Sequence, residues 1–153
     1  MKYSQKEIKR FGLSCLNMSL RRTSRLITTY YDFMLKPAGL RITQFTVLMS
    51  IAYEENQSIT ELARVTDIDR TTLQRSLEIL KRDGLVLMEK KEIGNVSSLS
   101  LTKKGEMQLT KGIELWQKAQ EAVMEKLGKS ELKKIMKNLT AVRKIAILES
   151  GAD

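Results

Sequence analysis

The stretch SITELARVTDIDRTTLQRSLEILKRDGLV, from Ser58 to Val86, constrains the fold more than any other part of the chain. It encodes two short amphipathic helices around a turn too short for anything but a sharp change of direction. Ile59, Leu62 and Ala63 recur at i, i+3 and i+4, and Leu73, Leu77 and Leu80 at i, i+4 and i+7. Each run therefore gathers its apolar groups on one face. Val65-Thr66-Asp67-Ile68-Asp69 lies between them, with Ile68 as the plug. This pattern predicts a helix-turn-helix, whose second helix is the element offered to the major groove of a duplex.

The outward face of that second helix carries the matching chemistry. With Leu73, Leu77 and Leu80 turned inward, a rotation of about 100° per residue sends Thr71, Arg75, Glu78 and Arg82 to the opposite side. Arg70, Thr72 and Gln74 stand at its start or flank. Arginine can pair bidentately with guanine and glutamine with adenine, and the threonine methyl suits that of thymine. Asp69 is placed to cap the helix, accepting from the backbone at Thr71 or Thr72. The candidate DNA contacts are therefore Arg70, Thr71, Thr72, Gln74, Arg75 and Arg82, with Thr60 on the first helix. The same residue types also make ordinary solvated faces. The turn before them and the segment after them favour recognition.

That next segment predicts a wing. Gly84 ends the helix as a C′ glycine. Leu85-Val86-Leu87-Met88 forms a strand carrying Glu89, Lys90 and Lys91 outward, and Gly94-Asn95 forms a turn. Val96 to Leu101 then alternates Leu99 and Leu101 against Ser98 and Ser100, the period of a half-buried strand. Lys90, Lys91 and Asn95 join the candidate contacts, at the minor groove or the phosphates.

Composition narrows the function classes. The 153 residues suit one compact domain or one domain with helical extensions, and 42% are apolar. The net charge of +9 fits a polyanionic partner. Residues 58–105 hold nine basic and seven acidic side chains, so placement says more than total charge. The chain has no histidine, which rules out a Ser-His-Asp or Cys-His nucleophile and a His-based metal site within it. Neither an enzymatic role nor a cofactor is expected. No apolar run reaches the roughly 20 residues of a membrane span, and the first ten residues lack a signal-peptide core. The single cysteine cannot form an internal disulfide, as suits a reducing cytoplasm.

The flanks read as helical. From about Ser4 to Met34 apolar residues recur near helical spacing without a proline, up to Pro37-Ala38-Gly39. Thr43 is the expected cap of a helix through Tyr53, with Phe45, Leu48 and Ala52 inward. Thr102 is the expected cap of a long helix striped with Leu109, Ile113, Trp116, Gln120, Val123 and Leu127. Gly128 stops it, and Ser130 caps a last helix striped with Leu132, Ile135, Met136, Leu139, Val142 and Ala146. Such apolar ends exceed what a winged core can cover, so a second copy is expected to cover them. A two-fold dimer would set two recognition helices about one DNA turn apart, facing a palindrome. The fold class is thus mainly α with a small β-hairpin wing. A winged helix-turn-helix core at 41–105 lies between dimerisation helices at 1–40 and 106–153.

The chain resembles the MarR family of bacterial transcriptional regulators along nearly its whole length. The matching pieces are Leu20-Arg21-Arg22-Thr23-Ser24-Arg25, Tyr31-Asp32, Pro37 through Phe45, Leu62-Ala63, Asp69-Arg70-Thr71-Thr72-Leu73, Gly84-Leu85 and Leu101-Thr102-Lys103-Lys104-Gly105. The resemblance implies a homodimer that binds double-stranded DNA and represses genes in a bacterial cytoplasm until a small ligand or oxidant alters it. The family's wing usually carries Asp-x-Arg, and Glu92-Ile93-Gly94-Asn95-Val96 has neither residue. Asp67 stands where a turn glycine is common, in a left-handed position that aspartate tolerates.

One branch of the family senses hydroperoxides through an N-terminal helical cysteine. Alignment on Arg25 and Tyr31 puts Asn17 at that position, with Ser19 where a tyrosine is expected, so Cys15 reads first as a small buried hydrophobe. Arg21, Arg22 or Arg25 could still activate its thiol. A small-molecule effector site lined by Tyr30, Tyr31 and Trp116 is the other candidate, against their use as ordinary core. Three functions stay open: a ligand-released repressor, a redox-responsive one acting through Cys15, and an effector-independent architectural DNA-binding protein.

Overall fold

The computed structural model describes residues 1–54, 58–90 and 97–150. The elements run α1 (Gln5–Ser14), α2 (Leu16–Leu35), a 3₁₀ turn (Lys36–Ala38), α3 (Ile42–Tyr53), α4 (Ile59–Thr66), α5 (Arg70–Arg82), β1 (Val86–Lys90), β2 (Ser97–Leu101), α6 (Lys103–Leu127) and α7 (Lys129–Ser150). No helix among the described residues is long and apolar enough to cross a membrane. Two compact units divide the chain, residues 1–116 and 117–153.

The first unit holds the core. Leu35, Leu40, Phe45, Val47, Leu48 and Ile51 from the first half meet Leu62, Leu73, Leu77, Leu80, Leu85, Val86 and Leu99, all buried. Each such side chain contributes about 1.5–3 kcal/mol on leaving water, far more than helix propensity supplies. β1 pairs antiparallel with β2, Val86 opposite Leu101 and Met88 opposite Leu99. Val86, Met88, Leu99 and Leu101 therefore share one face of the hairpin and pack with the core, while Leu87 on the other face is exposed.

The first-unit helices depart from expectation at three points. The N-terminal helix is two helices, broken at Cys15, whose backbone is extended at φ −74° and ψ 113°. The Ser14 hydroxyl donates to the Arg10 and Phe11 carbonyls at 3.1 and 3.2 Å, competing with the helix ladder where α1 ends. Thr43 is not the cap of α3. Arg41 occupies the N-cap, its N–H donates to Gln44 Oε1 at 2.9 Å, and the Ile42 N–H donates to Asp32 Oδ1 of α2 at 2.7 Å. Ala52 is exposed, and Val47 and Ile51 are buried in its stead.

Helix α6 begins as expected, with the Gly105 N–H donating to Thr102 Oγ1 at 2.9 Å. The expected stripe holds at Leu109, which is buried, and at Ile113 and Trp116, which pack against the core, but not at its far end. Gly105, Leu109 and Gly112 are buried, and Leu127 is exposed. Gly112 lies against the Phe45 ring, on which Trp116 stacks with centroids 6.3 Å apart. Small residues let α6 approach the core where larger ones would hold it off.

In the second unit, Gly128 adopts φ 80° and separates α6 from α7. Its carbonyl accepts from the Leu132 N–H at 3.1 Å, so α7 starts at Lys129 and Ser130 lies inside the first turn rather than capping it. Ile135, Met136 and Leu139 are 41, 58 and 42% exposed in the single protomer.

Candidate nucleic-acid interface

The interface is built outward from the turn between α4 and α5. Ser58 caps α4 reciprocally: its hydroxyl accepts from the Glu61 N–H at 3.2 Å, and Glu61 Oε2 accepts from the Ser58 N–H at 2.9 Å. At the far end Asp67 adopts the left-handed conformation, φ 52° and ψ 26°, so the chain turns without a glycine. Ile68 is half-buried and packs against the core. Asp69 then caps α5, with Oδ1 accepting from the Thr72 N–H at 2.9 Å. Each step is local, and together they fix where α5 points.

The Thr72 hydrogen bond holds the Asp69 carboxyl below the ordinary aspartate range, with the backbone at Thr72 and Thr71 adding to it. A carboxyl depressed in the folded state stabilises the fold above its unfolded pKa, and that contribution is lost as pH falls through the folded value. Asp69→Ala is therefore expected to melt at lower temperature than the parent at neutral pH. The gap should close below about pH 4. Calorimetry across that range checks this, and a gap independent of pH would contradict the cap.

On α5, Leu73, Leu77 and Leu80 are at most 1% exposed, while Arg70, Thr71, Thr72, Gln74 and Arg75 stand in solvent. These five gather on the first two turns of a helix held from behind by three leucines. Thr60 is exposed on the first turn of α4. Arg82 lies about 18 Å along the axis from Arg70 and pairs with Asp83 at 3.0 Å, away from the leading end. Lys90 ends β1, its backbone opposite Ser97. Lys91, Asn95 and the expected Gly94-Asn95 turn lie outside the described residues.

The trailing end of α5 is fastened as firmly as the leading end. Gly84 adopts φ 69°, its N–H donates to the Lys81 carbonyl at 3.0 Å, and the Leu85 N–H donates to the Leu80 carbonyl at 2.8 Å. These two bonds close a Schellman motif. Thr102 Oγ1 donates to the Gly84 carbonyl at 2.7 Å, the Thr102 N–H to the Leu85 carbonyl at 3.1 Å, and Lys104 Nζ to the Asp83 carbonyl at 2.7 Å. The start of α6 thus grips the end of α5.

A cleft missed in the sequence opens beside α5. The first turn of α3, with Arg41, Thr43 and Gln44, faces Thr72, Arg75 and Ser76 across it. An arginine at a helix N-cap was the available signal, because that position favours a small side chain able to accept.

The proposed effector residues fall in different settings. Trp116 is taken up by its stack on Phe45, within the core. Tyr30 meets Tyr31 edge to face at 5.4 Å. Burial pushes the Tyr31 phenol above its ordinary pKa, and Tyr30 adds to the shift. Cys15 is half-buried at the break between α1 and α2.

A buried leucine stripe, a capped and exposed leading turn and a following hairpin define a winged helix-turn-helix protein. Comparison with known proteins narrows this further. A sequence model of the MarR family matches residues 38–91. The M. tuberculosis transcriptional regulator MosR, solved in complex with DNA, is 32% identical, with 87% of this chain and 98% of that one covered and a TM-score of 0.74. A MarR mutant from E. coli complexed with operator DNA is 21% identical over 86% of this chain and 96% of that one, TM-score 0.77. The repressor CouR bound to a 23-mer duplex is 21% identical over 94% and 99%, TM-score 0.78. A search of curated protein sequences found no significant match. The chain belongs to the MarR family of transcriptional regulators.

Proposed function

We propose that the protein is a homodimeric, sequence-specific repressor that places α5 of each protomer in successive major grooves of a palindromic operator. The observation that carries this reading is the leading face of α5. Arg70, Thr71, Thr72, Gln74 and Arg75 stand exposed over a leucine stripe that prevents the helix from turning them away. MosR, similar over most of both chains, was solved on DNA. Support for the dimer comes from apolar side chains left exposed in the single protomer: Leu13, Leu16 and Phe33 on α1 and α2, and Ile135, Met136 and Leu139 on α7. Each set would return its surface to an apolar setting against a second copy.

Arg75→Ala is expected to weaken specific binding by about 1–3 kcal/mol, with the loss concentrated at one operator position. Titrating operators substituted one base pair at a time checks this. An equal loss for every sequence would make Arg75 a phosphate contact instead. Release by a small ligand belongs to the same reading. CouR, alike in fold, has also been solved bound to p-coumaroyl-CoA, and the half-buried Tyr30–Tyr31 pair is the aromatic surface this chain would offer.

A further inference from the structure

The cleft between α3 and α5 has the makings of an anion site. Arg41 sits at the N-cap of α3, where the guanidinium supplies donors only and so cannot cap the helix. Its positive charge also stands beside the positive end of the helix dipole, a placement that is locally unfavourable. The Arg41 and Ile42 N–H groups are taken by Gln44 and Asp32. The Thr43 and Gln44 N–H groups have no acceptor among the described residues. Opposite them, Ser76 is only 8% exposed and lines the cleft, and its hydroxyl has no partner among the described residues. A serine buried in mid-helix ordinarily donates back to a carbonyl one turn earlier, as Thr66 does to Leu62 and Thr110 to Glu106. Thr72 and Arg75 complete the walls, and no carboxylate lines them. Asp32 and Asp69, at the edges of the cleft, are engaged on the Ile42 and Thr72 N–H groups.

Two open amides, the Arg41 guanidinium and an unspent buried hydroxyl converge on one space. A single tetrahedral anion would satisfy all of them. Arg75 belongs to the exposed face of α5, so the anion adjoins whatever α5 reads. We propose that this cleft clamps one backbone phosphate of the bound duplex, with Arg41 as its principal cation and Ser76 as the donor at its floor. The inference rests on the reading that α5 enters the major groove. It adds a contact from α3, outside the helix-turn-helix, that fixes how far along the groove α5 sits.

The test is Arg41→Thr, which removes the cation and installs a side chain suited to the N-cap. The variant should melt no lower than the parent, so lost binding cannot be blamed on lost folding. Its affinity for operator and for unrelated duplex should fall by a similar factor, about tenfold for one charge-assisted contact. The slope of log K against log salt should become shallower by about 0.9. Ser76→Ala should keep its melting temperature and lose affinity severalfold, again irrespective of sequence. Unchanged affinity and slope in Arg41→Thr overturn the proposal, while DNA binding by the parent would still uphold the regulator reading. Failure of the parent to bind any duplex would instead overturn that reading. Melting in inorganic phosphate against chloride at matched ionic strength separates the phosphate sources. No difference is expected. A phosphate-specific rise in the parent that Arg41→Thr abolishes, with DNA affinity unaltered, would assign the cleft to a free anion and overturn the proposal.

Discussion

Gly105→Ala is expected to destabilise the winged unit by about 3 kcal/mol, at the upper end of what overpacking costs. A Cβ at this position would stand 2.1 Å from the Leu85 carbonyl oxygen, and that oxygen is backbone, not the movable end of a side chain. The same oxygen accepts from the Thr102 N–H. Relief requires α6 to move away, which stretches the Thr102 bonds to Gly84 and Leu85 together. For a chain of this length about 3 kcal/mol lowers the melting temperature by roughly 6–12 °C. Gly112→Ala should cost less, because its close neighbours are the Phe45 ring and a Leu40 methyl, which can shift. Scanning calorimetry of both variants checks the ranking. An unshifted Gly105→Ala would mean that α6 does not grip the end of α5 as described.

The second large effect is on assembly. Replacing Ile135 and Leu139 together by Glu should yield a monomer that keeps its helical circular dichroism. Both side chains are exposed in the protomer, so neither supports the buried core. In a dimer each would be desolvated, and four introduced carboxylates would face one another across the seam. A monomer loses the gain from engaging two half-sites at once, which amounts to roughly 10²–10⁴-fold in operator affinity. Sedimentation alongside binding titrations checks both halves. A variant that remains dimeric would exclude this face of α7 from the interface, and a monomer with undiminished operator affinity would remove the need for two copies.

The helix-turn-helix was legible because every signal in it is local. The leucines of α5 repeat at helical spacing, Asp69 caps three residues ahead, and Gly84 supplies the left-handed residue at the helix end. Asp67 could be assigned to the turn for the same reason. What escaped the sequence reading depends on distant partners or on small side chains. The acceptor for the Ile42 N–H lies ten residues back, at Asp32, so Thr43 looked like the cap. The buried face of α6 adds Gly105 and Gly112 to the expected Leu109, Ile113 and Trp116, and apolar spacing carries no sign of glycines that matter by being small. The break at Cys15 interrupts an apolar spacing that continues on both sides of it. Ser76, a polar residue beside the leucine stripe, is buried across the cleft from α3, a partner distant in sequence.

Selecting bound duplexes from a random pool with the purified protein tests the account most directly. The expected result is enrichment of an inverted repeat with half-site centres about 10 base pairs apart, occupied by two protomers, and relaxed at one position per half-site by Arg75→Ala. A pool that emerges unenriched, retained only in proportion to low salt, would contradict it.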